Sequence, residues 1–142
     1  MKKYIGFKMI QAEPREVSKQ VDGETSLDTK EGYKIVYPDG YVSWSPKNVF
    51  EKAYMQVGDN NTITQDNVDG FIADVETLTI GNKSTIVVAT LINGFKIIES
   101  SSCVDVANYN EELGKLICID RIKNKVWFLL GFLLQTAKDG IK

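Results

Sequence analysis

At 142 residues, with 43% apolar and 25% charged side chains, the chain has the composition of a folded, soluble domain that can bury a core without metal or disulfide support. A net charge of −2 excludes a global basic field, so neither a nucleic-acid polymer nor a membrane surface is an expected partner and any anion site must be local. Histidine is absent, which removes the commonest general base, every serine- or cysteine-histidine pair and the usual transition-metal ligand.

The N-terminus, MKKYIGFKMIQAEPREV, lacks the pattern of a signal peptide, because its apolar run is broken by Lys8 and followed by charge. KYIGFKMIQA (3–12) alternates as a strand does, with Tyr4, Gly6, Lys8 and Ile10 on one side and Ile5, Phe7 and Met9 on the other. Pro14 ends it, and PREVSK reads as a helical turn with proline at its first position. VDGETSLDTKEG (21–32) reads as a polar loop, whose residues 21–31 are candidates to close over a ligand. YKIVYPDGYVSWS is a hairpin, its turn preset by Pro38 and given positive φ angles by Asp39-Gly40. Ser45-Pro46 starts a short helix, PKNVFEKAY, with Val49, Phe50 and Tyr54 available for burial.

GDNNT (58–62) is the linker candidate, dividing a β-rich N-terminal module with a short helix (1–57) from a domain of β-hairpins and a long helix (58–142). Ile63 to Ala73 reads as a short helix capped by Thr64, with Val68, Phe71 and Ile72 inward. Three strands follow, VETLTI, STIVVATLI and FKIIESSS. Asn93-Gly94 between the last two suggests a type I′ turn, with both central residues at positive φ. Asn110 to Ala137 then forms a helix about 40 Å long, capped by Asn108 or Asn110 and begun by Glu111 and Glu112. Its apolar rows, Leu113–Leu116–Ile119–Ile122–Val126–Leu129–Leu133 and Trp127–Leu130–Leu134, cover more than one face. One small sheet cannot bury all of that, so a second copy pairing its C-terminal helix across a two-fold axis is expected. The fold class is therefore α+β: an antiparallel β-sheet and hairpin core, short helices, and one long C-terminal helix used in dimerisation. WFLLGFLL is too short to span a membrane, for which about 20 apolar residues are needed. Cys103 and Cys118 read as reduced, small apolar residues of a cytosolic protein.

No nucleotide-binding glycine motif, calcium loop or zinc spacing occurs, so no catalytic residue, metal ligand or cofactor is assigned and catalysis is not expected. Three features carry a binding reading beside a bland one. Arg121 and Lys125 stand one helical turn apart, with Phe128 continuing the row. They are either a solvated patch paired with Glu or Asp, or the cationic wall of a site for a ligand bearing phosphate and base. Phe95 is either a core aromatic or a stacking face presented by a hairpin end. In ESSSCVD (99–105), Asp105, with Asn108 beyond it, is either a backbone cap or a ribose contact.

Two stretches carry a resemblance. GYKIVYPDGYVSWSPKNVFEKAY resembles an N-terminal module of small tailed-phage proteins. NGFKIIESSSCVDVANYNEELGKLICIDRIKNKVW resembles the domain that usually follows it, a widespread conserved phage family. The NGF turn, SSxCVD, NY-x-EE-x-G and R-I-K-x-K-V-W occur in the family's order. Within that group the length and architecture are most similar to the Thoeris anti-defence sponge proteins. The resemblance implies a protein of the infected host's cytoplasm that is not an enzyme, binds cyclic ADP-ribose isomers made by TIR-domain proteins, and holds them from their effector. It implies a homodimer with the pocket at its junction. In some members it also implies a trimer of dimers that holds cyclic oligonucleotides at separate sites. Carried onto this chain, Phe95 would stack on adenine, Arg121 would bind pyrophosphate and Lys125 would replace a second basic residue, without arginine's planar fork. Asp105 and Asn108 would lie near the ribose. The alternative is a phage protein-interaction module that blocks a host protein through the aromatic hairpin around Tyr41 and Trp44.

Overall fold

In the computed structural model, which describes residues 1–20 and 27–142, the strands of the first part are β1 (Gln11–Pro14), β2 (Val17–Gln20), β3 (Leu27–Lys30), β4 (Gly32–Val36) and β5 (Val42–Pro46), followed by α1 (Lys47–Ala53). β1, β4 and β5 form an antiparallel sheet in that order, and β2 pairs with β3. The expected strand over 3–12 is realised only from Gln11, whose partner is Val36. β4 turns away at Tyr37, so residues upstream of Gln11 overshoot the hairpin and find no backbone partner there. PREVSK is not a helical turn: Val17–Gln20 pairs with Leu27–Lys30, which were expected to be loop. Of the loop expected to close over a ligand, residues 21–26 lie outside the described residues.

The hairpin at Tyr37–Tyr41 and α1 form as expected. The Trp44 indole N–H donates to the Arg15 carbonyl at 2.8 Å. Gly32 leaves room for the Trp44 ring, which any Cβ there would overlap. Tyr33, Phe50 and Tyr54 stack in series, with centroids 4.0 and 5.0 Å apart, whereas Val49 is exposed.

The chain divides into two compact units, Met1–Gln56 with Thr136–Lys142, and Val57–Gln135. In the second, GDNNT closes a tight turn in which Asn60 and Asn61 both take positive φ and Gly58 N–H donates to Thr62 O. α2 (Gln65–Phe71) starts at a reciprocal capping box between Thr64 and Asn67 and buries Val68. It is shorter than expected, because Ile72 and Ala73 already belong to the next strand. β6 (Ile72–Ile80), β7 (Ser84–Leu91) and β8 (Lys96–Ser102) form an antiparallel meander. A 3₁₀ turn at Val106–Asn108 leads into α3 (Glu111–Asp139), capped by the Asn110 side chain on Leu113 N–H.

The two main hairpin loops share one geometry that the sequence reading assigned differently. In Tyr37–Tyr41 and Leu91–Phe95 only the glycine, Gly40 or Gly94, takes positive φ. The preceding Asp39 or Asn93 side chain instead accepts the N–H of Tyr41 or Phe95. Both are three-residue loops with a left-handed glycine, not type I′ turns, because the Asx side chain satisfies the amide that a second positive φ would otherwise have to place.

β7 alternates strictly, with Thr85, Val87, Ala89 and Leu91 buried. Against that face α3 lays a single row, Gly114, Cys118, Ile122, Val126 and Leu130. The row is spaced by four and begins with a glycine and a cysteine, which hydrophobic periodicity passes over. Leu113 and Leu116, expected in the core row, are exposed. Burial of each large member contributes about 1.5–3 kcal/mol.

Gly114 and Gly131 separate packing from helix propensity. A Cβ at Gly114 would stand 2.9 Å from Thr85 Cβ, while at Gly131 it would meet nothing within 4 Å. Gly114→Ala is expected to lower stability by about 1–3 kcal/mol. Gly131→Ala is expected to raise it by about 0.5–1 kcal/mol, both read by denaturant unfolding.

Candidate functional site

The Leu91–Phe95 loop is clamped at both ends: Leu91 N–H donates to Phe95 O at 2.8 Å and Phe95 N–H to Asn93 Oδ1 at 3.0 Å. The constraint holds Phe95 at the hairpin end with 56% of its surface exposed, so it is not a core aromatic. α3 passes this end of the sheet because it runs back along β8 from its own N-terminus near Thr85. Two contacts record the register. Arg121 Nη1 donates to the Ser100 carbonyl at 2.7 Å, and one turn later Lys125 Nζ pairs with Glu99 Oε1 at 2.5 Å. The next turn brings Phe128 and Leu129 beside Phe95.

The result is an open groove of about 400 Å³, with Phe95, Ile97 and Ile98 on the strand side and Lys125, Phe128 and Leu129 on the helix side. Its volume falls within the range of small-molecule sites. Phe128 is 78% exposed, an unusual place for a large aromatic side chain. Lys125 is held at the wall by Glu99, whose side chain is only 15% exposed, so an incoming anion competes with a carboxylate for this ammonium. Arg121 spends one N–H on Ser100 and remains exposed.

Phe95 and Lys125 are thus brought together, with Arg121 one turn along α3. Asp105 and Asn108 stand elsewhere in the chain, beyond the far end of β8, a strand of roughly 20 Å. Asp105 Oδ1 accepts the Ala107 N–H at 3.0 Å and its carbonyl accepts the Asn108 N–H, so both residues shape the 3₁₀ turn. Sequence reasoning missed Glu99, whose role depends on which helix residue crosses β8 at that level. It also missed the Tyr109 hydroxyl, which bonds Thr79 and Thr85 at 2.8 and 2.9 Å. Thr79 in turn donates to Glu111, tying the start of α3 to the sheet. In the N-terminal unit a cavity of about 300 Å³ is lined by residues of both signs. There Lys47 pairs with Glu31 at 3.2 Å, and the Tyr33 hydroxyl donates to Glu51, a bond that pushes its pKa up. Trp44 is engaged with Arg15, while Tyr41 is exposed and stacked on Tyr37.

Among the described residues no group of His, Cys, Asp and Glu is placed to hold a metal ion, and no helix is long and apolar enough to cross a membrane. Residues 63–138 match the model of the phage protein (N4 Gp49/phage Sf6 gene 66) family. The chain belongs to this family. The matched span opens just before α2 and covers the meander and nearly all of α3, so the whole groove lies inside the family domain. No curated protein and no solved structure matches the chain.

The two free cysteines report on the register of α3. Cys118 is buried on β7, and desolvation pushes its thiol pKa up, opposed by nearby Arg121. Cys103 is partly exposed at the end of β8. A thiol reagent is expected to label Cys103 in the native protein and Cys118 only on unfolding. Because folding raises the Cys118 value, its contribution to stability is complete below the ordinary thiol value of 9.0 and is lost as pH rises through the folded value. Unfolding curves above pH 9.0 should show the loss, and Cys118→Ala should remove that slope.

Proposed function

We propose that the protein is a phage anti-defence factor that binds a cyclic nucleotide immune signal in this groove and holds it without cleaving it, chiefly a cyclic ADP-ribose isomer. The observation that carries the reading is the convergence of two exposed aromatics, Phe95 and Phe128, with Lys125 in a groove of ligand size, Arg121 standing one turn away. A base stacks on an aromatic face for about 1–3 kcal/mol. A pyrophosphate takes the exposed N–H groups of Arg121 and displaces Glu99 from Lys125, each charge-assisted bond contributing about 1.5–3 kcal/mol. Retention without turnover asks for cations, stacking and exclusion of water, and gains from the absence of histidine.

Closure of the groove calls for a second copy. The exposed side of α3 carries Leu113, Leu116, Ile117, Phe128 and Phe132. Antiparallel pairing of two such helices about a two-fold axis buries this row and sets the start of one helix beside the end of the other. That arrangement carries Asp105 and Asn108 of the partner subunit towards the open side of the groove, where they can meet ribose hydroxyls. The site of action is the infected host cell.

The test is retention and release. Purified protein is mixed with cyclic ADP-ribose isomers and with cyclic di- and trinucleotides, filtered, and then heat-denatured. A ligand that leaves the filtrate and returns intact supports sequestration, whereas an altered ligand makes the protein an enzyme. Retention of nothing overturns the reading and turns attention to a protein partner at Tyr41. Phe95→Ala should weaken binding about 5- to 150-fold, Arg121→Ala should reduce it below detection, and Trp44→Ala should leave it unchanged. Lys125→Arg should tighten it by restoring a bidentate fork.

A further inference from the structure

Residues 3–10 have the alternation and β-forming composition of a strand, yet in the structure they lie outside any helix or strand. Tyr4, Ile5 and Phe7 are exposed and a Cβ at Gly6 would meet nothing within 4 Å, while Lys8 lies over the Tyr37 ring at 4.5 Å and Met9 and Ile10 are half-buried. The cause is register. β1 pairs with β4 from Gln11 onward, and β4 turns back at Tyr37, so the segment continues the line of an edge strand past the end of its sheet. A β-forming segment with unpaired N–H and C=O groups is a donor for strand addition.

The same chain carries a matching acceptor. Edge strands are ordinarily blunted by proline or lysine, and three of the sheet edges follow that rule: β1 ends in Pro14, β5 in Pro46, and β8 begins with Lys96. β6 is different. It is nine residues long, contains neither proline nor lysine, and pairs on one side only. Beyond an irregularity between Ile72 and Asp74 it offers a regular run to Ile80, on which Asp74, Glu76, Leu78 and Ile80 project at a two-residue period and are exposed. The donor has Lys2, Lys3, Lys8 and the amino terminus, and no acidic residue before Glu13. Charge and apolar character are therefore complementary between the two, and their lengths match. Within its own unit each is left without a pairing partner on its open side.

We propose that residues 3–10 of one copy add as a fourth strand to the β6 edge of a second copy, the exchange being reciprocal. This interface is separate from the exposed side of α3 and does not depend on nucleotide binding.

The experiment is hydrogen exchange on the full chain, with light scattering on the same samples. The amides of residues 3–10 are expected to be protected at least tenfold over free-peptide rates, with protection fading on dilution in step with mass. Ile5→Pro with Phe7→Pro removes two donors from the segment and should halve the mass and expose the β6 amides that do not donate to β7. The cooperative unfolding transition of each copy should be retained, because Ile5 and Phe7 are exposed in their own fold. Glu76→Lys should weaken the association and Lys8→Glu in the same chain should restore it. Free-peptide exchange rates over residues 3–10 in an associated sample overturn the proposal. So does protection that persists undiminished in a monomer, which would mean pairing within one chain.

Discussion

The second unit depends on the packing of α3 on β7 along one row, and above all on the close approach of Gly114 to Thr85 at its start. A helix seated on a sheet by large side chains can slide or tilt by a fraction of a turn with little penalty. Here the first contact is backbone against a β-branched side chain, with the Tyr109 hydroxyl bonded to Thr85 beside it, so the helix start is fixed in height and position. Everything further along α3 inherits that setting. Cys118, Ile122, Val126 and Leu130 fall on the sheet at intervals of four, Ile119, Trp127 and Leu129 pack beside them, and Lys123 reaches Asp69 of α2 at 3.0 Å.

The groove is a consequence of that seating. With the row fixed, Arg121 comes level with Ser100, Lys125 with Glu99, and Phe128 with the hairpin end that presents Phe95. Phe95, Arg121, Lys125 and Phe128 are exposed and positioned by the hairpin and helix that carry them, while the Glu99 side chain is largely buried beside Lys125. Glu99 adds a constraint of its own, since its carboxylate already pairs with Lys125 at the groove wall.

Among the described residues of the second unit, the outer side of α3 and the β6 edge are also open. The outer face of the meander also carries Leu78 and Ile98 in the open, with Ile86 and Val88 between them half-buried. The family domain supplies the groove, and residues before the matched span supply the segment that overshoots its sheet.

Much of this was legible in the residues. Thr64 and Asn110 announced two helix starts through their side-chain oxygens, Asp39-Gly40 and Asn93-Gly94 placed both hairpins, and the strands of the meander followed from β-branched composition. The absence of histidine narrowed the chemistry. Those are local properties, decided by a residue and its near neighbours in the chain. The failures were equally physical. Residues 3–10 have strand character but strands need partners, and where β4 turns is not written in the segment that would pair with it. Val17–Gln20 pairs with Leu27–Lys30 across a polar stretch that periodicity reads as loop. The core row of α3 begins at a glycine and a cysteine, where shape and not hydropathy makes the contact. Phe95, Arg121 and Lys125 stood out as candidates from residue type, spacing along the chain and the family resemblance, but the carboxylate that holds Lys125 and the distance that separates Asp105 and Asn108 from the groove came from tertiary structure. A sequence specifies which groups can stack, cap or carry charge. Which of them meet depends on the register of one element on another, set by contacts between residues far apart in the chain.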